Sequence, residues 1–288
     1  MQAYQILIGC SDLAPHLEDT DWAILDCRFD FRNPAWGEEQ YSSGHIPGAL
    51  YAHMERDLAL PVTPTSGRHP LPGPDQLAAV FSRWGISPGV QVVAYDDVGG
   101  GYAARAWWCL NYLSHTAAAI LDGGWQAWRE LGLPVRSGRE ERAPSVFSGS
   151  PRPEMKVEVE GMVYLTRARD HLTVDSRSPE RYLGLLEEFD PVAGHIPGAV
   201  NIPWSGNLDS RGRFLPAETL RKRFQERLKN LPPSSAVFYC GSGVTACHNI
   251  LAMAHAGLEG ARLYPGSWSE WIRDTTRPMV SGEEPGNS

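Results

Sequence analysis

The sequence predicts an α/β protein built from two tandem domains, each a parallel sheet flanked by helices. Three observations lead there. Short apolar, β-branched runs alternate with helix-like stretches, and several motifs occur twice in the same order, about 150 residues apart. The chain has 288 residues, 42% hydrophobic and 21% charged, which suits two compact cores. A period this long marks duplicated domains, because solenoid units repeat every 20 to 50 residues or so.

Taken in order, Ile24-Leu25-Asp26-Cys27-Arg28 opens the first copy and Thr173-Val174-Asp175-Ser176-Arg177 opens the second. Ser43-Gly44-His45-Ile46-Pro47-Gly48-Ala49 is answered by Ala193-Gly194-His195-Ile196-Pro197-Gly198-Ala199. Pro74 to Trp84 and Ala217 to Lys229 read as helices that follow. The strand Val92-Val93-Ala94-Tyr95-Asp96 then matches Ala236-Val237-Phe238-Tyr239-Cys240, and Gly124-Trp125 matches Ser267-Trp268. Arg136 to Pro153 is rich in Arg, Glu, Ser and Pro without periodicity and reads as a linker. The expected division is a first domain over 1–137, a linker over 138–153, a second domain over 154–280 and a flexible tail over 281–288.

A formal charge of −8 argues against nucleic acid or an acidic membrane surface as partner. No apolar stretch approaches the ~20 residues of a membrane span. Met1 to Asp12 lacks a basic segment followed by an apolar core, so no secretory signal is expected. The five cysteines, Cys10, Cys27, Cys109, Cys240 and Cys247, form an odd, sparse set without metal spacing. They fit a reducing, cytoplasmic compartment in which Cys240 stays a free thiol.

Cys240 is the most informative of them. It ends a run of high strand propensity, and Gly241 and Gly243 permit a tight loop. Thr245 then opens an amphipathic stretch through Ile250, Leu251 and Met253. Loop amides and the positive helix end should therefore converge on the sulfur and favour an anion there. The bland alternative is a cysteine that happens to end a core strand. Where the second copy has Cys240, the first has Asp96, which lacks the soft nucleophilicity of a thiolate. The second half is thus expected to carry the chemistry.

On these residues the chain resembles the two-domain sulfurtransferases built of tandem rhodanese-like domains. The resemblance rests on the doubled Gly-His-Ile-Pro-Gly-Ala, the Trp segments near each domain end and the loop Cys240-Gly241-Ser242-Gly243-Val244-Thr245, and it covers nearly the whole chain. The loop looks like that of the 3-mercaptopyruvate sulfurtransferase branch, whereas thiosulfate-preferring members usually carry cations just after the cysteine. The resemblance implies a Cys240 persulfide, cradled by Gly241, Gly243, Val244 and Thr245, that passes sulfur to a thiol acceptor such as thioredoxin or a small thiol, or to cyanide. It calls for no metal or organic cofactor. Arg181 matches the position that binds the donor carboxylate, and Ser242, His69 and Asp57 match a Ser-His-Asp set spanning both domains, Asp57 only with a one-residue gap. A second Arg, common before the Gly-His-Ile-Pro-Gly segment in this branch, is absent from Leu185 to Ala193. The alternatives are a thiosulfate:cyanide sulfurtransferase, and a non-catalytic rhodanese-like binding module. A cysteine phosphatase would use the same cradle but wants an Arg where Ala246, Cys247 and His248 stand.

Arg177 has a counterpart in Arg28, and His195 in His45, so each is expected to be structural. Cys247 lies about two helical turns after Cys240 and is expected to be a core cysteine.

Overall fold

The computed structural model describes residues 3–168 and 170–283. They divide into two compact units, one of residues 3–60, 72–152 and 208–214, the other of 61–71, 153–207 and 215–283. The tail expected over 281–288 lies mostly outside the described residues.

The first unit holds five strands: β1 (Leu7–Ile8), β2 (Trp22–Asp26), β3 (Ala49–Tyr51), β4 (Gln91–Tyr95) and β5 (Ala118–Leu121). They form one parallel sheet in the order β1-β5-β4-β2-β3. Its helices are α1 (Cys10–Leu13), α2 (Trp36–Ser43), α3 (Met54–Asp57), α4 (Pro74–Arg83), α5 (Ala103–Tyr112) and α6 (Gly124–Glu130). β2 and β4 are buried along their whole length, which is why they read as continuous apolar runs. The 138–152 segment has no helix or strand, yet it is tied down: Arg142 donates to the Trp22 carbonyl at 2.7 Å, and Phe147 packs edge-on against Phe81.

The second unit holds α7 (Val159–Leu165), β6 (Leu172–Asp175), α8 (Pro179–Tyr182), β7 (Val200–Asn201), α9 (Ala217–Leu228), β8 (Ala236–Tyr239), α10 (Ala246–His255), β9 (Arg262–Leu263) and α11 (Ser267–Trp271). Its parallel sheet runs β7-β6-β8-β9. A parallel bridge of Lys156 to Leu263 stands at the outer edge, beside β9.

The duplicated motifs are scaffolding, and both copies use them alike. Asp26 pairs with Arg28 at 2.5 Å, and Arg28 also donates to the Gly44 carbonyl; Asp175 pairs with Arg177 at 2.6 Å, and Arg177 donates to the Gly194 carbonyl. Each buried ion pair therefore pins the start of a Gly-His-Ile-Pro-Gly segment to a strand end. Tyr95 and Tyr239 fasten the next residue, accepting from the amides of Ile46 and Ile196. His45 and His195 each donate through Nδ1 to a carbonyl at 2.7 Å, of Tyr41 and Tyr182, and stack on those rings. Arg28 lies 4.5 Å from the Trp125 ring centre and Arg177 lies 5.0 Å from that of Trp268.

Two loops depart from a division at the linker. Residues 61–71 group with the second unit because Arg68 N–H donates to Ser269 Oγ at 3.0 Å and Arg273 donates to the Ser66 carbonyl. Residues 208–214 group with the first, where Phe214 N–H donates to Asp122. His69, which the sequence places in the first domain, therefore belongs to the second unit.

Candidate active site

β8 delivers Cys240 to the end of the second sheet, where the side chain is 2% exposed. The turn after it is fastened at several points. Cys240 N–H donates to Ser267 Oγ at 3.1 Å, and the Cys240 and Gly241 carbonyls accept from the amides of Trp268 and Ser269. Gly243 is obligatory: its φ is +76°, and a Cβ there would lie 2.2 Å from the Pro265 carbonyl oxygen. This geometry turns Gly243 N–H back onto Cys240 Sγ at 3.2 Å. Val244 is buried, Thr245 precedes the first residue of α10, and the Cys247 thiol donates to the Gly243 carbonyl from within the core, as a core cysteine would.

The first unit shows what such a turn does to an anion. After β4 the carboxylate of Asp96, fully buried, accepts four backbone N–H bonds. Val98 and Gly100 donate to Oδ1 at 2.9 and 2.8 Å, and Tyr102 and Ala103 donate to Oδ2 at 2.7 and 2.8 Å. Burial raises the Asp96 pKa, and the four amides oppose that rise. The amides converge on atoms two bonds from Cβ. A persulfide on Cys240 would carry its terminal sulfur at the same remove.

Ser242 and His69 come together, with Oγ and Nδ1 2.8 Å apart and both residues buried. Asp57 sits in the first unit at the end of α3, where its carboxylate accepts from His53 N–H at 2.9 Å and from Arg83 at 2.6 Å. Arg181, on α8, lies close to the loop: a Cβ on Gly241 would be 3.3 Å from its Nη2 and 3.4 Å from its Nη1. Its guanidinium is held by Glu187, at 2.7 Å, and by Asp190, at 3.3 Å.

The sequence reading missed Arg68. The same Cβ on Gly241 would lie 2.7 Å from Arg68 Nη2, while Arg68 Nη1 pairs with Asp190. Gly241 and Ser242 are neutral, but two guanidinium groups stand beside the loop, Arg181 as expected and Arg68 in addition. A signal was present in Gly67-Arg68-His69, since Arg68 adjoins the His that the resemblance selects. Glu187 and Asp190 balance the two cations. Burial alone would raise the Glu187 pKa, but the Arg181 guanidinium and the Phe189 amide outweigh it and hold the carboxyl below its ordinary value.

Burial pushes the thiols of Cys10 and Cys27 up, and that of Cys109 up to about 11, so these three are protonated at neutral pH. Among the described residues no group of three or more His, Cys, Asp or Glu side chains is placed to hold a metal ion, and no helix is long and apolar enough to cross a membrane.

Comparison with known proteins agrees with this arrangement. The rhodanese-like domain model matches residues 10–131 and again 164–274. A probable 3-mercaptopyruvate sulfurtransferase of Pseudomonas aeruginosa is 44% identical over 279 residues, covering 96% of this chain and 98% of that protein. The thiosulfate sulfurtransferase of Rattus norvegicus is 33% identical, over 87% of this chain and 84% of its own. Among solved structures, 3-mercaptopyruvate sulfurtransferase from Leishmania major superposes with a TM-score of 0.83 at 30% identity, covering 95% of this chain and 75% of that one. The chain belongs to the rhodanese-like family, as a sulfurtransferase-type member with two rhodanese-like domains in tandem.

Proposed function

We propose that this chain transfers sulfur from 3-mercaptopyruvate to a thiol acceptor through a persulfide on Cys240. The observation that carries the reading is the turn after β8: it aims the Gly243 amide at Cys240 Sγ, and its counterpart in the first unit grips a carboxylate with four amides.

In this reading the Cys240 thiolate attacks the donor sulfur, the carbon–sulfur bond breaks, and its electron pair passes to carbon as the enolate of pyruvate. Protonation of that carbon releases pyruvate. Ser242 and His69, at hydrogen-bond distance from one another, polarise the ketone or move the proton. Gly241, Gly243, Val244 and Thr245 form the cradle, whose amides stabilise the persulfide anion as an oxyanion hole stabilises an alkoxide. Arg181 holds the donor carboxylate. A thiol, either a small molecule or a protein such as thioredoxin, then takes the outer sulfur, and cyanide can replace it in an assay.

Thiosulfate as donor is the second reading, and the two guanidinium groups near Gly241 favour it. Glu187 and Asp190 weigh against it. With two carboxylates already balancing two cations, a bound dianion leaves two negative charges uncompensated and a monoanion only one. Each such charge is worth a few kcal/mol, since unit charges about 4 Å apart interact by roughly 4 kcal/mol at an effective dielectric of 20. A side-by-side measurement of kcat/KM should favour 3-mercaptopyruvate over thiosulfate by at least tenfold. A preference for thiosulfate overturns the assignment of the donor.

A further inference from the structure

We propose that Arg68 is a substrate-binding residue that, together with Arg181, grips the donor carboxylate. The proposal rests on the reading of Cys240 as the sulfur carrier.

The geometry divides each guanidinium into two edges. Asp190 takes Nη1 of Arg68, and Glu187 takes Nε and Nη2 of Arg181, with Asp190 also on Nη2. Nη2 of Arg68 and Nη1 of Arg181, which neither carboxylate takes, lie 2.7 and 3.4 Å from where a Cβ on Gly241 would stand. Both edges thus border the residue that follows the nucleophile. The ring of Phe189 supports both guanidiniums, 5.8 Å from Arg68 and 5.1 Å from Arg181.

Arg68 is also held by the strip that holds Cys240. Its amide donates to Ser269 Oγ, and a Cβ on Gly67 would lie 2.5 Å from the Gly266 carbonyl oxygen, so the two backbones touch. The same strip binds the Cys240 and Gly241 carbonyls through Trp268 and Ser269. Any side chain at 241 would push against the Arg68 guanidinium, which gives Gly241 a reason independent of the loop's own conformation. A carboxylate received between two guanidinium edges gains paired, charged hydrogen bonds, which are strong and geometrically selective.

The test uses the full chain with Arg68→Met and Arg68→Lys, measuring kcat and KM for 3-mercaptopyruvate and the competitive inhibition constant of pyruvate, which carries the same carboxylate and ketone. In Arg68→Met, KM and the pyruvate constant should both rise about 10- to 100-fold with kcat within roughly threefold, as expected for loss of one charged hydrogen-bonding group. Arg68→Lys keeps a charge for Asp190 but not the second edge, so an intermediate rise is expected. An unchanged pyruvate constant in either variant, or a fall in kcat with KM constant, overturns the proposal. Sulfur added to Cys240 of the unsubstituted protein after donor treatment keeps the two ideas apart. Its absence sinks the reading of the site, while its presence with an unchanged pyruvate constant removes Arg68 alone.

Discussion

Ser267 holds φ at 55°, the left-handed region, and is wholly buried. In the first copy the matching residue is Gly124, whose φ is +53°. The backbone is the same, but the second copy puts a side chain where glycine would be strain-free, at a cost of about 1–2 kcal/mol. What the serine supplies is Oγ, which accepts from Cys240 N–H and donates to the Tyr264 carbonyl. Strain retained beside Cys240 fits a role in positioning that residue. Ser267→Gly trades the lost hydrogen bond against relieved strain, so unfolding free energy should change by less than about 1 kcal/mol. The rate of Cys240 persulfide formation should nevertheless fall roughly tenfold, since about 1.4 kcal/mol of lost positioning is a factor of ten. Ser267→Ala keeps the strain and loses the bond, so it should be the less stable of the two by urea unfolding. Equal stability of the two variants would contradict this account. The mismatch between Gly124 and Ser267 was visible in the sequence; that it marks a strained backbone was not, because a serine by itself carries no signal of positive φ.

At the scale of elements, the strand-loop-helix turn was legible in full. β8 ends at Tyr239 and α10 begins at Ala246, as the apolar run, the glycines and the amphipathic stretch imply. The turn after β4 was read as a disarmed twin, but its chemistry was hidden, since no local pattern says that Asp96 would turn inward and satisfy four amides of its own loop. Removing that acceptor tests whether the cradle is an anion site by construction. Asp96→Ala leaves buried donors without a partner and should cost about 2 kcal/mol or more in urea unfolding. Asp96→Asn presents an NH2 group to N–H donors and should be destabilised as well. Unaltered stability in both variants would mean that the amides find other acceptors and that the loop has no intrinsic preference for negative charge.

At the scale of the molecule, duplication explains which residues the sequence could assign. Asp26, Arg28, Asp175 and Arg177 recur because each sheet needs its buried ion pair to fix a Gly-His-Ile-Pro-Gly segment, and a repeated residue is thereby marked as scaffold. Cys240 has no counterpart in the first copy, where Asp96 stands, and stood out for that reason. Arg68 and His69 did not, because residues 61–71 group with the second unit, more than a hundred positions along the chain from the loop they meet. Neither hydrophobic period nor local spacing encodes such a contact. His69 was reached only through family resemblance, and the second cation sought between Leu185 and Ala193 is supplied instead by Arg68. The account turns on where the sulfur goes when the donor reacts. Burial keeps Cys10, Cys27 and Cys109 protonated, and the Cys240 sulfur accepts from the Gly243 amide. The direct measurement is mass spectrometry of the intact protein and its peptides after 3-mercaptopyruvate treatment, with Cys240→Ser alongside. One added sulfur on the Cys240 peptide, absent together with turnover in Cys240→Ser, is the expected result; sulfur on another cysteine, or turnover by Cys240→Ser, would contradict it.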